Sequence, residues 1–248
     1  AYWEYKFYPF RMQLGANTFH WGSLDVFSPM DVLNSRAYFN PLNPYKQGAP
    51  SLSMQWEGES WRLQGVYILR QPKPLLPSRD SRWLPRELLV NTTTDRGTIL
   101  LPEQFLYYYL SDQTLDRALD NNFALRFSGR AGDFDWALMH YEGLSQVPHL
   151  RFEISTASPI SLDPLILQAT SDVGIQPIFY RQRVSGLSLS WAPSSIIFKW
   201  ESTYTQVMSQ ASDLPQWLFQ SALGIEKPLS VMGKTLSVLL QGYYGDNN

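Results

Sequence analysis

The feature that most constrains this chain is the order of its connections. Segments in which apolar and polar residues alternate are joined by short and long links in strict turn. In Ile196 to Thr205, Ile196, Phe198, Trp200 and Tyr204 share one face, with Ser202 the exception, and Lys199, Glu201, Thr203 and Thr205 share the other. A strand sends successive side chains to opposite sides, so such a segment is a strand with one apolar and one polar face. The pattern returns at Trp61–Ile68, Asn122–Arg130, Phe134–Glu142, Arg183–Trp191, Trp217–Glu226 and Thr235–Tyr244, and more weakly at Tyr2–Tyr8, Arg11–Phe19 and Ser51–Glu57, which makes about ten strands. The short links are Pro9-Phe10, Gly58-Glu59, Arg130–Asp133 and Ala192–Ser194, with a longer one around Lys227–Lys234. Their Gly, Pro, Asp and Ser supply the backbone angles of tight hairpins. The long links are about 20–50, 69–121, 143–176 and 206–216. Long structureless loops are uncommon in compact soluble domains, whereas short turns at one end and long loops at the other are the habit of outer-membrane barrels. The expected fold is therefore all-β: one antiparallel up-and-down transmembrane β-barrel domain over residues 1–248.

Composition narrows the choice. Of 248 residues, 44% are hydrophobic, 15% aromatic and only 17% charged, against about 25% charged in ordinary domains. Mean hydropathy is nevertheless -0.25, and no run of about 18 apolar residues occurs, which excludes a membrane-spanning helix. An aromatic-rich soluble β-protein and a membrane barrel both survive this test. Near-neutral charge argues against nucleic acid as a partner. With no Cys there is no disulfide, thiolate metal site or cysteine nucleophile. The first residues, Ala1-Tyr2-Trp3, enter a strand at once and read as a processed or trimmed start.

Aromatics gather toward strand ends, at Trp3, Tyr8, Trp191, Trp200, Trp217, Tyr243 and Tyr244. Tyr and Trp favour a membrane interface because an apolar ring carries a polar handle. If the apolar faces meet lipid, the polar ones line a lumen. Candidates there are Arg62, Gln64, Arg126, Asp135, Lys199, Glu201 and Glu226, with Arg181 and Arg183 near a rim. A charge on the lipid face would cost about 2–4 kcal/mol at mid-membrane, which explains the segregation. The mixed signs imply no strong ion preference, and the same residues would also serve merely by pairing and filling a narrow interior.

The loops contain organised pieces. Pro102–Asn121 predicts a short helix or two, with Phe105, Tyr108 and Tyr109 on one face, Leu115 and Leu119 at i, i+4, and Ser111 as a cap. Pro72–Pro77 is an extended, semi-rigid run. Catalytic signals are weak. His20, His140 and His149 lack metal-ligand spacing, no serine sits in a nucleophile elbow, and Asp25, Asp31, Asp95 and Asp112 do not form a calcium-loop pattern. The expectation is neither an enzyme nor a cofactor or metal protein.

The most specific stretch is Gln13–Pro41, QLGANTFHWGSLDVFSPMDVLNSRAYFNP. It resembles a proteobacterial family of outer-membrane barrels of unknown function, distantly similar to alginate-export and porin-like barrels. The residues that carry the resemblance are Leu14, Gly15, Trp21, Gly22, Asp25, Asp31, Val32, Leu33, Asn34 and Arg36. Looser likeness extends to Leu63–Ile68, Asn122–Arg130 and Phe134–Leu138. Ser35 departs from the pattern, where the family often has Pro. Full barrels of that kind carry more strands and finish on an aromatic residue, so the expectation is that these ten belong to a larger barrel. The resemblance implies an outer-membrane location and, for some members, association with lipid-exporting transporters. It implies no catalytic residues. For the loop itself the expectation is an inward-folded constriction with Asp25, Asp31 and Arg36 near the path of a solute. The competing expectation is a self-bonded loop in which Asp31 and Asn34 satisfy turn backbone and Trp21 packs at the rim. The expected function is a porin-like channel of the bacterial outer membrane, passing or binding small or lipidic solutes. Its partners would be outer-membrane lipids and an envelope or lipid-transport complex. The alternative is a non-conducting barrel with a structural, adhesive or docking role.

Overall fold

The computed structural model describes residues 2–84, 92–94, 97–100, 105–115, 117–154, 158–168, 172–209, 213–231 and 234–247. Ten strands form one sheet, each antiparallel to the next in chain order. They are β1 (Tyr2–Phe7), β2 (Phe10–Asn17), β3 (Ala49–Glu57), β4 (Trp61–Arg70), β5 (Asp120–Ala131), β6 (Phe134–Leu144), β7 (Arg181–Trp191), β8 (Ile197–Val207), β9 (Trp217–Val231) and β10 (Lys234–Asn247). The ten alternating segments read in the sequence are these ten strands. Among the described residues the outer pair, β1 and β10, share no ladder, so the sheet is open there.

Register turns alternation into two continuous faces. Between β7 and β8, Ser188 stands opposite Glu201 and Ser190 opposite Lys199, while Leu189 meets Trp200 and Trp191 meets Phe198. Next door, Ser188 faces Ala137 and Leu189 faces Trp136. Thus Leu14, Met54, Leu125, Leu138, Leu189, Leu223 and Leu240 belong to one face, all substantially exposed. The other face carries Ser53, Gln55, Ser188, Glu201, Thr203 and Thr205, all buried. His140 falls in phase with Trp136 and Leu138 on the outward side, where its Nδ1 lies 3.0 Å from the Ser185 hydroxyl.

The five short links all lie at one end of the sheet and the four long ones at the other. At Gly132 the backbone takes φ +60, which only glycine adopts freely, and this closes the β5–β6 hairpin. The β9–β10 hairpin is tighter than expected: β9 runs on to Val231 and β10 begins at Lys234.

The long links build small sheets of their own. Leu106–Tyr109, Gln113–Thr114, Asp172–Phe179 and His149–Ile154 form one, and Thr92–Thr94, Gly97–Leu100, Leu165–Gln168 and Ser158–Leu162 another. This corrects the helix expected over 102–121. Among the described residues of that stretch, Leu106–Tyr109 pairs in parallel with Asp172–Ile175, and Arg117 and Asn121 adopt positive φ, which ends any helix. A run of Leu and three Tyr fits a pleated surface when a partner strand is present, and that partner lies some 66 residues on, at the register pair Leu106↔Asp172. Ser111 caps no helix there.

Strong curvature follows from the first long link. Ser23, six residues after Asn17 of β2, hydrogen-bonds to Glu201 of β8. A flat sheet would hold β2 and β8 about 29 Å apart, six spacings of about 4.8 Å, whereas six extended residues reach only about 21 Å. The sheet therefore curls, with its polar face inside.

Asn122 fastens the long-loop end of β5. Fully buried, it accepts the Leu144 amide proton at 2.6 Å and donates to the Leu119 carbonyl at 2.9 Å. Asn122→Ala orphans the Leu144 N–H and should cost about 1–3 kcal/mol, read as a lower urea midpoint. Glu59→Ala, at an exposed turn, should change stability by less than about 0.5 kcal/mol. Equal effects from the two would refute the assignment.

Candidate functional site

The site is the inner face together with the link that enters it. Residues 18–36 fold into the curl and settle on two kinds of surface. Phe19, Trp21, Met30 and Leu33 pack against Val66, Ile68, Ala124, Met139, Tyr141 and Val184. These strand residues point inward, so the inner face is not polar throughout, as expected from the sequence. Toward the long loops it carries an apolar patch that this plug covers, among buried polar residues such as Asn122, Gln182, Thr203 and Thr205.

The plug's polar anchor is Glu201. The residue has no exposed surface. Its Oε1 accepts the backbone N–H of Ser23, the Ser23 hydroxyl at 2.8 Å and the Leu24 N–H at 3.2 Å. Its Oε2 accepts the Ser28 hydroxyl at 2.5 Å and the Met30 N–H at 3.5 Å. Five donors from one loop thus converge on one carboxylate. A buried charge without a contacting cation is tolerable only when its lone pairs are filled in this way. Glycines allow the approach: a Cβ on Gly22 would overlap the Ser28 side chain, one on Gly186 would press on Met30, and one on Gly224 would press on Leu24.

Buried amides secure the plug's other end. Asn34 accepts the Phe19 N–H at 2.7 Å and donates to the carbonyls of Asn17 at 3.1 Å and Gln47 at 3.0 Å. Gln146 donates to the carbonyls of Asp31 at 2.6 Å and Asn34 at 2.9 Å, and Gln71 donates to that of Leu33. Asp31 pairs with Arg36 at 2.7 Å and Lys46 at 2.5 Å. Burial holds the Lys46 ammonium below the usual lysine range, with Asp31 opposing that effect.

The sequence candidates therefore separate into five groups. Asp25, Lys199 and Glu226 form a chain of ion pairs at 2.8 and 3.1 Å beside Glu201. Asp31 and Arg36 lie within the plug, beside a cavity of about 680 Å³ that opens among the long loops and is also lined by Asp25, His20 and Lys46. Arg62, Arg126 and Asp135 line a second cavity, of about 480 Å³, at the short-turn end, with Ser23 of the plug among its walls. Gln64 accepts the Trp21 indole N–H at 3.1 Å and so ties the plug to β4. Arg181 and Arg183 do not line the interior as expected: they are in phase with the outward Leu189, and both reach Glu142 at the rim.

Both expectations for the 13–41 loop hold in part. It folds inward, and Asn34 is self-bonded within it, whereas the Asp31 carboxylate takes Arg36 and Lys46 in place of turn backbone. Trp21 is not at the rim: it is 2% exposed, inside the curl.

The aromatic candidates also divide. Ring contacts run along the short-turn edge from Phe10 through Trp56, Trp61 and Phe127 to Trp136, and again from Phe134 through Trp191 to Phe198. Trp3, Tyr8, Trp191 and Tyr244 are exposed. Trp200 sits inside β8 with its indole N–H on the Ser221 hydroxyl at 3.0 Å, and Trp217 stacks on Tyr204. Tyr243 departs from the expected role, because it is in inward phase with Ala222 and its ring meets Phe27 of the plug edge-on at 4.8 Å.

Sequence reading missed Ser23, Ser28, Met30, Gln71 and Gln146. A readable signal was the run of small inward residues Gly186, Ser188, Ala222 and Gly224, which marks a close approach of another backbone. Among the described residues no cluster of His, Asp and Glu suits a metal. The chain matches no family model, curated protein or solved structure.

Replacing Glu201 by Ala strands several buried donors and should free the plug, at a cost of about 3 kcal/mol or more. In this cysteine-free chain, Met30→Cys provides a unique buried thiol. Its maleimide labelling should be at least tenfold faster in the Glu201→Ala background, and unchanged labelling would dismiss Glu201 as the anchor.

Proposed function

We propose that this chain is an outer-membrane β-barrel channel of a Gram-negative bacterium, passing or binding small or lipidic solutes through an interior divided by the 18–36 plug. The observation that carries this reading is the outward face. Leucines and rings are exposed on the outward side of all ten strands, whereas soluble monomers rarely show contiguous apolar surface beyond about a few hundred Å². An aromatic ladder at one edge, short turns beside it and long loops opposite are features that suit a bilayer. Within lipid every backbone group must be paired, so the reading also requires the free edges of β1 and β10 to be hydrogen-bonded, to each other or to further strands.

The plug supports a second reading. It lies between the two polar cavities and is bonded at both ends, which also suits a barrel that does not conduct and acts as a structural, adhesive or docking protein. Conductance in planar bilayers separates the two. The channel reading expects resolved current steps from the purified protein, enlarged several-fold by Glu201→Ala. Silence from both proteins would leave the docking role. The membrane itself is tested by Leu125→Arg, at an exposed outward site, which should cost about 2–4 kcal/mol in lipid. A water-soluble, detergent-independent monomer would end both readings.

A further inference from the structure

The cavity at the short-turn end contains three arginines, and only two of them are matched. Arg62 pairs with Glu57 at 3.0 Å. Arg130 forks onto Asp135 at 2.6 and 3.1 Å. Arg126, deeper on β5 between Gln64 of β4 and Met139 of β6, makes no hydrogen bond or ion pair with any described residue, and its Nε is buried without a partner. A buried unsatisfied donor is rare in native proteins and asks for a reason. Glu201 acts on it only through space, as a nearby negative charge, since its oxygens are taken by the plug.

What surrounds Arg126 is suited to a ligand. The hydroxyl-bearing Ser23, Ser128, Ser188 and Ser190 line the same cavity, together with Arg62. At about 480 Å³ it falls within the usual range of small-molecule pockets, about 300–1,000 Å³. A guanidinium is a planar fork that matches the two oxygens of a carboxylate or phosphate, and the hydroxyls of Ser128 and Ser190 can donate to the remaining ones, those of Ser23 and Ser188 being engaged with Glu201 and with each other. Glu57 and Asp135 lie with the turn residues and are paired there with Arg62 and Arg130, so the guanidinium left without a hydrogen-bond partner is the one further inside.

We propose that this cavity is an oxyanion-binding site, in which Arg126 forks onto a carboxylate or phosphate group of a small solute and Arg62, Ser128 and Ser190 hold its flanks. That the solute is one in transit rests on the channel reading; the binding itself does not.

The test is a titration of the purified full chain in detergent micelles at constant ionic strength. Inorganic phosphate and acetate are added separately in exchange for chloride. Trp61 and Trp136 line the cavity, so binding is read by their fluorescence and checked by calorimetry. Phosphate or acetate should bind saturably, and the tighter of the two identifies the group as tetrahedral or planar. Arg126→Gln should weaken binding at least tenfold, and Arg126→Lys, which keeps the charge and loses the fork, several-fold. Lys73→Gln, which removes an ion pair to Asp112 in the long loops, should bind like the wild type. Should Arg126→Gln lose its β-sheet circular dichroism, Arg126→Lys decides alone. Absence of saturable binding by the wild type, or equal binding by the folded Arg126 variants, overturns the site. A protein that conducts but binds neither anion keeps the channel reading and loses this one. A protein that binds an anion and never conducts does the reverse.

Discussion

A carboxylate with no exposed surface organises this molecule. Moving a charge from water into a protein interior costs several kcal/mol even after relaxation. Among the described residues Glu201 has no contacting cation, Arg126 acting on it only through space, and it is held by five donors from residues 23–30. Strand and loop therefore depend on each other. Without the loop, Glu201 would need water or a counter-ion; without Glu201, the N–H groups of Ser23, Leu24 and Met30 would be buried unpaired. The bond joins residues 178 positions apart and draws β8 within reach of β2, so the curl of the sheet and the path of the plug have one cause. The glycines at 22, 186 and 224 are its steric counterpart, each leaving room that the loop fills.

Seen from the strands, the inner face changes along its length. Toward the short turns it is lined by Ser128, Ser188, Ser190 and the arginines; toward the long loops it carries the apolar patch of Val66, Ile68, Ala124 and Val184. An apolar inner patch is stable only when covered, and Trp21, Met30 and Leu33 cover it. Among the described residues the larger hydrophobic cluster thus lies inside the curl, between strands and plug, while many exposed apolar side chains point outward.

The fold was legible where one physical rule acts locally. Phe198, Trp200 and Tyr204 against Lys199, Glu201 and Thr203 reveal a strand and its faces, because side-chain direction repeats every two residues wherever the partners lie. Alternating link lengths likewise revealed the meander. The same rule is silent about partners. Arg126 and Glu201 read alike as inward charges, yet Glu201 is saturated by a distant loop and Arg126 has no hydrogen-bond partner among the described residues, and spacing along β5 or β8 carries no trace of that difference. The 102–121 stretch failed for a related reason. Local propensity favoured a helix, and pairing of Leu106–Tyr109 with a strand of another long link prevailed. Asn34 was the easier case, because two of its three partners, Phe19 and Gln47, lie within 15 positions.

The positions of the two cavities relative to the plug separate binding from passage. The Arg126 cavity opens among the turn residues 57–61 and is floored by Ser23, whereas the cavity beside Asp31 and Lys46 opens among the long loops. On the proposed reading, a solute arriving from the short-turn side reaches Arg126 with every plug bond intact. Passing further requires the Ser23 and Ser28 bonds to Glu201 to open, and with them the packing of Trp21 and Met30. The loss of so many buried contacts at once makes a spontaneous opening rare, so flux would be governed by the plug and occupancy by the arginine. The two properties reside on different strands, β8 and β5, and can change independently.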